Sequence, residues 1–497
     1  MICRRQILAP ALAALLAACA VGPDYQRPPV ETPAAFKEIA GWKPVEPKLP
    51  AAGAPVWSVY GDKVLDDLIR QVDVSNQNLK ASEAAYRQAV AIVGENRASF
   101  FPTLNIDGSA VRSGTHGAAT TGGTTASRST GLRVSNQFAV SGQAAWVPDI
   151  WGQVRRQVEG ATATAQADAA QIAAARLSAQ ATLAEDYFAL RILDEQKRLF
   201  DDTVAAYLRQ LHITENKYRA GNVGRSDLEQ ARAQYENARS QDVALGVARA
   251  QNEHAIAVLI GKPPAAFALS PAPLDFHVPV VPVGLPSTLL ERNPTVASAE
   301  RQMAAANAQI GVAVAGYFPT ITLGASYGFT SNALSTLIST ASSAWSFGLT
   351  SLSAPIFNGF LTHYQVEAAG AAYDQTVATY RQTVLTAFQG VEDNIAALRI
   401  LQDQAEIQGR ATRAAAEAER LILNQYKAGT VDYTSVVTAQ ATSLGDQQTS
   451  LTIMQSRLNA SVLLIENLGG NWSNADLPDA SLPVPPPADP PPEEVKP

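Results

Sequence analysis

The residue types that most often carry catalysis or bind metals are few in this chain, and they are scattered. The 497 residues include two cysteines and five histidines. No two histidines stand four residues apart, as a metal pair on one helix face would, and neither a Cys/His cluster nor a phosphate-binding glycine loop occurs in the sequence. The histidines are His116, His212, His254, His277 and His363. The sequence therefore predicts a protein that is not an enzyme and that uses no metal or cofactor.

One cysteine stands where a covalent modification is expected. Arg4 and Arg5 precede an apolar stretch that is too short to span a bilayer and is typical of a secretory signal. The stretch ends in small residues directly before Cys19, an arrangement that resembles the lipobox of bacterial lipoproteins. The resemblance implies cleavage after residue 18 and lipidation of Cys19, palmitate included. Because Ala20 follows the cysteine, it also implies sorting to the outer membrane. The alternative is an ordinary cleavage site followed by an incidental thiol.

The charge pattern excludes one class of partner. The chain has 38 basic and 45 acidic residues, a formal net charge of -7, and no run rich in lysine or arginine. A nucleic-acid-binding protein needs a basic patch to neutralise phosphates. Nucleic acid is therefore not an expected partner.

The sequence contains two copies of one pattern, each about two hundred residues long. Phe101-Pro102-Thr103 recurs as Phe318-Pro319-Thr320, and Tyr218-Arg219-Ala220-Gly221 recurs as Tyr426-Lys427-Ala428-Gly429. The first match has an offset of 217 residues and the second an offset of 208. The extra residues of the first copy fall in the Gly/Thr/Ser-rich segment Ser113–Arg133, which predicts an exposed loop.

The repeat divides the chain into six predicted segments. They are a signal peptide (1–18), a lipidated N-terminal anchor segment (19–62), a first repeat (63–262), a Pro-rich linker (263–286), a second repeat (287–470) and a Pro-rich tail (471–497).

Each copy has the same order of predicted elements. A first helix, over Val64–Ser99 or Ser287–Gly316, precedes two segments in which apolar and small polar residues alternate, as in a strand with two unlike faces. A stretch of nearly seventy residues without proline then predicts a helix of about 100 Å. This helix ends near Gly221 or Gly429 and a second helix returns, with apolar residues at the spacing of a coiled coil.

The four strands of about ten residues have the length and the alternation of strands in a membrane barrel. Four strands cannot close, because an open edge would leave unpaired backbone groups in hydrocarbon. Three copies would supply twelve strands. The predicted fold class is an α+β membrane protein with a duplicated repeat, in which four β-strands per protomer contribute to a trimeric 12-stranded β-barrel continued by a long α-helical coiled-coil barrel.

The duplicated order of elements, together with the segment Cys19–Pro28, resembles the outer membrane factor family, the TolC-like channels of efflux systems. It is most similar to the lipoprotein branch that serves resistance-nodulation-division pumps, and the resemblance covers residues 19–472. It implies a homotrimer in outer membrane lipid, with a helical tunnel in the periplasm. It also implies a periplasmic adaptor and an inner membrane pump as partners, and a passive exit duct for small toxic compounds or drugs.

The two helical turns are the predicted working points. In a threefold assembly one acidic residue at the tip becomes a ring that can bind cations and close the tube. The family places such aspartates just after the second turn, where this chain has Ser435 and Thr438. Asp432 and, from the first copy, Asp227 are the acidic alternatives, with Arg225 or Lys427 as tethers between neighbouring coils.

The same turns are candidates for docking the adaptor, through the motif residues Tyr218, Gly221, Tyr426 and Gly429. The alternative is that these residues only end two helices. The spacing of Ser226–Glu229 predicts a capping box that begins the first return helix.

Three other functions are compatible with part of this pattern. The same duct could serve type I protein secretion, or the chain could be a lipid-anchored periplasmic scaffold with no pore. An enzyme is the remaining alternative, although nothing in the residue pattern supports one.

Overall fold

The computed structural model describes residues 20–39, 56–116, 132–274, 278–279 and 286–478. The predicted signal peptide, Cys19, the middle of the first hairpin loop and the tail beyond residue 478 lie outside these residues. Parts of the predicted anchor segment and of the linker lie outside them as well.

The described residues repeat one order of elements, which confirms the duplication. The first repeat contains α1 (Lys63–Ser75), α2 (Gln77–Ala98), β1 (Thr103–His116), β2 (Leu132–Trp146), α3 (Gln153–Arg219) and α4 (Arg225–Leu259). The second repeat contains α5 (Pro286–Arg292), α6 (Pro294–Ala315), β3 (Thr320–Ser331), β4 (Ser343–Ser353), α7 (Leu361–Ala428) and α8 (Tyr433–Asn467).

Each predicted first helix is two helices, because an asparagine interrupts it. Asn76 and Asn293 have extended backbone, and their side chains accept hydrogen bonds from the N–H groups that begin the next helix. Their amide groups also donate to the ends of the return helices, at Leu259 O (2.9 Å) and Asn467 O (3.0 Å). The expectation of one continuous helix was wrong because a tertiary contact holds each asparagine in the capping conformation.

The four strands form one antiparallel sheet in the order β1-β2-β3-β4, so β1 and β4 each have an open edge. Residues that pair directly across strands share a face of the sheet. One cross-strand row is apolar, with Leu104, Ala144, Ala325 and Phe347. The next row is polar, with Asn105, Gln143, Ser326 and Ser346. The predicted alternation is confirmed in these rows, which cross all four strands.

The first hairpin is longer than predicted. Ser113 pairs with Ser135 and Gly114 with Val134, so both ends of the predicted loop are strand. The expectation of a loop beginning at Ser113 was wrong because the ladder of backbone hydrogen bonds continues through these small polar residues.

The long helices α3 and α7 have 67 and 68 residues, which corresponds to about 100 Å each. Helix α3 packs against α2, α4, α6 and α8, whereas α7 packs against α6 and α8. None of the helices in the described part of the chain combines the length and the apolar character that crossing a bilayer requires.

The main hydrophobic core lies midway along these rods, where side chains of both repeats meet. Its largest fully buried members are Trp57, Tyr187, Phe188 and Tyr380. Tyr60 joins the repeats, since its ring lies 4.8 Å from that of Phe188 and its hydroxyl is 2.7 Å from Ser461 Oγ. Burial raises the pKa of Tyr60. This core fixes the long helices in place, and their far ends project from it to the two turns.

Candidate functional site: the two helical turns

The first turn ends α3 with a left-handed glycine. Gly221 has φ +75°, and its N–H donates to Tyr218 O at 2.9 Å. The N–H of Asn222 donates to Lys217 O at 2.9 Å, which completes a Schellman motif. The motif explains why the sequence requires glycine here, because a side chain at this φ is strained.

The start of α4 differs from the prediction. The residue before the helix is Gly224, which has extended backbone and offers no side chain to the first N–H groups. The predicted capping box over Ser226–Glu229 is not formed, because the helix begins at Arg225 and Ser226 is already inside it. Ser226 Oγ instead donates to Asp227 Oδ1 at 3.2 Å.

The second turn has the same glycine and a different helix start. Gly429 has φ +78°, and the N–H of Thr430 donates to Gln425 O at 3.0 Å. Asp432 then caps α8, since its carboxylate accepts from Ser435 N at 3.0 Å and from Ser435 Oγ at 2.6 Å. These hydrogen bonds hold the pKa of Asp432 below its ordinary value.

The two motif tyrosines have opposite surroundings. Tyr426 is 3% exposed and its ring lies 5.4 Å from that of Tyr433, whereas Tyr218 is 40% exposed. Both buried rings belong to a tip cluster that joins the second turn to the first repeat and consists of Leu211, Ala231, Tyr426, Tyr433 and Val436. Burial and the neighbouring Tyr426, Tyr207 and Asp227 raise the pKa of Tyr433.

A lysine of the first repeat binds the second turn. Lys217 Nζ lies 4.0 Å from the centre of the Tyr426 ring and donates to Tyr426 O at 2.9 Å. The cation therefore contacts both the ring and the last helical turn of α7, where carbonyl groups favour positive charge.

The remaining candidates divide between two surfaces. Asp432, Ser435 and Thr438 line a groove of about 430 Å³ on α7 and α8. Arg225 is exposed on the first turn, 3.7 Å from Glu229, and Asp227 is half-buried beside it. Lys427 is exposed. The structure thus brings the second-turn candidates together and leaves Arg225 and Asp227 on the other turn.

Sequence reasoning missed Tyr433 and the role of Lys217. The signal was present in the alignment of the repeats, because Tyr433 corresponds to Arg225 and Lys217 to Gln425. The ring of Tyr433 in the tip cluster therefore comes from the second repeat only, and the cation of Lys217 beside Tyr426 comes from the first repeat only.

The N-terminal segment runs along the outside of the helices from the sheet toward the core. The N–H of Val21 donates to Trp151 O at 3.0 Å, directly after β2. Arg156 donates to Val21 O at 3.2 Å and to Asp24 at 2.8 Å. Farther along, Tyr25 OH donates to Glu300 at 2.5 Å. The segment therefore begins at the level where the strands meet the long helices.

In the described part of the chain, no group of three or more His, Cys, Asp or Glu side chains is placed to hold a metal ion.

The comparisons with known proteins agree with this architecture. The family model described as outer membrane efflux protein matches residues 68–262 and 285–470. The toluene efflux pump outer membrane protein TtgC of Pseudomonas putida is 28% identical over 464 residues, covering 92% of this chain and 94% of the relative. The cation efflux system protein CusC of Escherichia coli is 27% identical over 477 residues, covering 93% and 97%.

Solved structures show the same fold. The outer-membrane channel OprN superposes with a TM-score of 0.82 at 26% identity, covering 91% of this chain and 99% of that structure. The open state of the Neisseria gonorrhoeae MtrE outer membrane channel gives 0.78 at 28% identity, covering 92% and 99%. The α+β fold class and the outer membrane location predicted from the sequence are confirmed. With both repeats matched along nearly their whole length, the chain belongs to the outer membrane efflux protein family and is an outer membrane channel of an efflux system.

Proposed function

We propose that three copies of this chain form one passive exit duct for small toxic compounds, with a barrel in the outer membrane and a helical tunnel in the periplasm. The observation that carries the proposal is the sheet, which has one apolar and one polar face and open edges at β1 and β4. In a membrane such edges must pair with another chain, because unpaired backbone groups in hydrocarbon are costly.

The size of the sheet favours three copies over two. Two copies would give eight strands, and the interior of an eight-stranded barrel is filled by its own side chains. Twelve strands leave a lumen, lined here by polar groups such as those of Asn105, Asp107 and Ser326. A lumen of this kind lets solutes pass without a specific binding site.

The cargo and the partners follow from the relatives. Their names include an antibiotic efflux pump and a toluene efflux pump of Pseudomonas putida, which supports small apolar or amphipathic toxic compounds as cargo. A passive duct needs an energised inner membrane pump. The turns at Tyr218–Gly221 and Tyr426–Gly429 lie at the far end of the rods and, apart from Tyr426, are exposed, so that a periplasmic adaptor can dock there. Asp432 and Asp227 remain the acidic candidates for a ring that closes the tip.

The duct is tested with full-length protein extracted from outer membranes. We expect a native mass of three chains and stepwise ion conductance in planar bilayers. We also expect that deleting the gene sensitises its host to several unrelated toxic compounds. A monomer that conducts no ions would overturn the duct and favour a periplasmic scaffold.

We further propose that Cys19 carries the lipid that anchors the N-terminus. Ala20 lies against Gly152, so close that a side chain on Gly152 would meet Ala20 Cα at 2.7 Å. Because Gly152 follows β2 at the end of the sheet, Ala20 lies at the level where the sheet meets the long helices, which favours a membrane anchor on the preceding residue. Mass spectrometry of the N-terminal peptide should find acyl groups on Cys19, and a free thiol there would contradict the anchor.

A further inference from the structure

Two arginines of the first repeat hold the linker against α3 and α4. Arg249 donates to Asp194 at 2.8 Å, to Glu253 at 3.2 Å and to Leu269 O at 2.6 Å. The N–H of Leu269 donates to Glu253 at 2.5 Å. Arg191 completes the cluster, 3.0 Å from Asp194. Charged side chains of the two helices therefore fix the linker at Leu269.

The second repeat keeps both arginines and lacks both carboxylates. Helices α7 and α8 follow α3 and α4 at an offset of 208 residues. A cluster of two cations and two carboxylates in the first repeat thus becomes two cations with no carboxylate at the matching positions. The counterparts are Arg399 for Arg191, Arg457 for Arg249, Gln402 for Asp194 and Ser461 for Glu253.

Arg457 has no partner for its charge among the described residues. Arg399 binds Glu38 of the N-terminal segment, whereas the Nε of Arg457 is buried and no described residue accepts its hydrogen bond. A buried N–H of a charged group that lacks an acceptor costs free energy. The outer side of α7 and α8 therefore favours a further anionic group beside Arg457.

The chain leaves α4 and α8 along the same path. Gly261 and Gly469 both have positive φ, +69° and +83°. A side chain on either glycine would clash with a backbone carbonyl at the end of a short helix, that of Ser75 in α1 or that of Arg292 in α5. The segments after the two return helices therefore begin with the same contact.

The two paths continue alike for several residues. A short 3-10 turn follows in each repeat, at Pro264–Ala266 and at Asn474–Asp476. An apolar residue comes directly after each turn, and both of these residues, Phe267 and Leu477, are half-buried. The start of the C-terminal tail is thus the structural counterpart of the start of the linker.

This correspondence brings an acidic residue to the place of Leu269. Leu269 is the third residue after the first 3-10 turn, and Asp479 is the third residue after the second. Because Leu269 lies against Arg249, a path of the same length places Asp479 against Arg457. The carboxylate of Asp476 is already used, since it closes the capping box of its own turn.

We propose that Asp479 binds Arg457, so that the C-terminal tail covers α7 and α8 as the linker covers α3 and α4. The carboxylate accepts the hydrogen bond from Nε that no described residue accepts, and opposite charges strengthen this bond. In the first repeat the carboxylates belong to the helices, and the linker supplies backbone groups. In the second repeat the tail supplies the carboxylate itself.

The contact would join both terminal segments of the chain to one pair of helices. Glu38 of the N-terminal segment binds Arg399, and Asp479 of the tail binds Arg457. The proposal goes beyond the duct and does not depend on the trimer, because all of these groups belong to one chain.

Charge reversal with rescue tests the contact in the purified full-length protein. The folded protein is digested with proteinase K, and the rate of cleavage at Ala480, next to the proposed contact, is followed by mass spectrometry. Arg457→Glu and Asp479→Arg should each speed this cleavage about tenfold, because a lost charged hydrogen bond frees the segment. The double variant restores an opposite pair and should return the rate toward that of the unmodified chain.

Two other carboxylates provide matched controls. Asp489→Arg makes the same charge change farther along the tail, and Glu46→Arg makes it in the N-terminal part of the chain. Neither substitution alone should change the rate of cleavage at Ala480. Rescue of Arg457→Glu by either of them, and not by Asp479→Arg, would overturn the assignment to Asp479.

A milder pair keeps the test decisive should Arg457→Glu fail to fold. Arg457→Gln removes the charge and keeps N–H groups, so it should speed the cleavage alone and add nothing in combination with Asp479→Asn. An unchanged rate in folded Arg457→Gln would overturn the inference. Ion conductance of the same samples tests the duct separately, because protein that shows the rescue and conducts no ions would defeat the duct and keep this contact.

Discussion

The two repeats place an arginine at the same position of their long helices and surround it differently. Arg191 is buried, with Asp194 at 3.0 Å and Ser270 O at 2.9 Å, and Arg249 completes the cluster at 2.8 Å from Asp194. Arg399, at the same place in α7, is 44% exposed at its side chain and binds Glu38 at 2.5 Å.

Both arginines bind a segment that lies outside the long helices, the linker in one repeat and the N-terminal segment in the other. The difference shows that equivalent residues of two similar repeats need not contribute equally to stability. The long helix α3 of the first repeat is enclosed by helices of both repeats, whereas its equivalent α7 packs only against helices of its own repeat. Single substitutions at matched positions can therefore separate what the repeat contributes from what its surroundings contribute.

The largest difference should come from the carboxylates that bind these arginines. Asp194→Ala leaves Arg191 buried without a carboxylate and removes one of the two carboxylates that bind Arg249, and we expect it to cost about 3–5 kcal/mol of unfolding free energy. Glu38→Ala removes a partly exposed partner of Arg399 and should cost at most about 1 kcal/mol. Chemical unfolding followed by circular dichroism in detergent measures both. Equal losses would show that the two clusters are equivalent and would break the comparison.

The motif tyrosines should differ in the same direction. Tyr426→Ala empties a buried site that contacts Tyr433 and Lys217, and we expect a loss of about 3 kcal/mol. Tyr218→Ala should cost less, because the side chain of Tyr218 is 40% exposed. Hydrogen exchange of the tip peptides measures the two losses locally. A larger loss of stability for Tyr218→Ala than for Tyr426→Ala would contradict this ranking of the two tyrosines.

The acidic side chains Glu185 and Glu466 provide a pH-dependent comparison. Burial, then repulsion from Glu466 and Asp186, raises the pKa of Glu185, and burial raises the pKa of Glu466. A carboxyl group whose pKa is raised by folding stabilises the fold while it is protonated, below the ordinary carboxyl pKa, and this stabilisation is lost as the pH rises through the folded value.

Glu466→Gln should therefore raise the melting temperature at pH 7, through a gain of less than about 1 kcal/mol in the free energy of unfolding. The same substitution should have little effect near pH 4. Position 258, the counterpart in the first repeat, is already uncharged valine. Glu406→Gln, at an exposed position, is the matched control and should leave the melting temperature unchanged both at pH 7 and near pH 4. A gain that persists at low pH would exclude charge burial as its cause.

The sequence predicted most of the fold for reasons that are local. Alternation along β1 to β4 requires only neighbouring residues, and the left-handed glycines Gly221 and Gly429 end their helices wherever they lie. The break at Asn76 could not be predicted, because it depends on a carbonyl of Leu259 that is distant in sequence.

The sequence predicted which residues form the candidate site, but it did not predict what packs around each of them. Tyr218 and Tyr426 share one motif, so no local pattern says which ring is buried. The choice is made by Tyr207 and Lys217 of the other repeat, whose counterparts Ala415 and Gln425 cannot make the same contacts.

The starts of the two return helices should show the smallest difference. Asp432 caps α8 through Ser435, and Gly224 leaves the first N–H groups of α4 without a side-chain partner. Asp432→Ala should speed hydrogen exchange in the first turn of α8, and Gly224→Asp should slow it in α4, because each change alters one bond to an exposed helix terminus.

The pH dependence identifies the carboxylate as the cause. The pKa of Asp432 is lowered by its bonds to Ser435, so the protection it gives should be complete above the ordinary carboxyl pKa and should disappear as the pH falls through the lower folded value. Asp432→Asn retains an acceptor and should keep part of the protection at all pH values. If the first turn of α8 exchanges at the same rate with aspartate and with alanine, the cap contributes nothing and the two turns differ only in what packs against them.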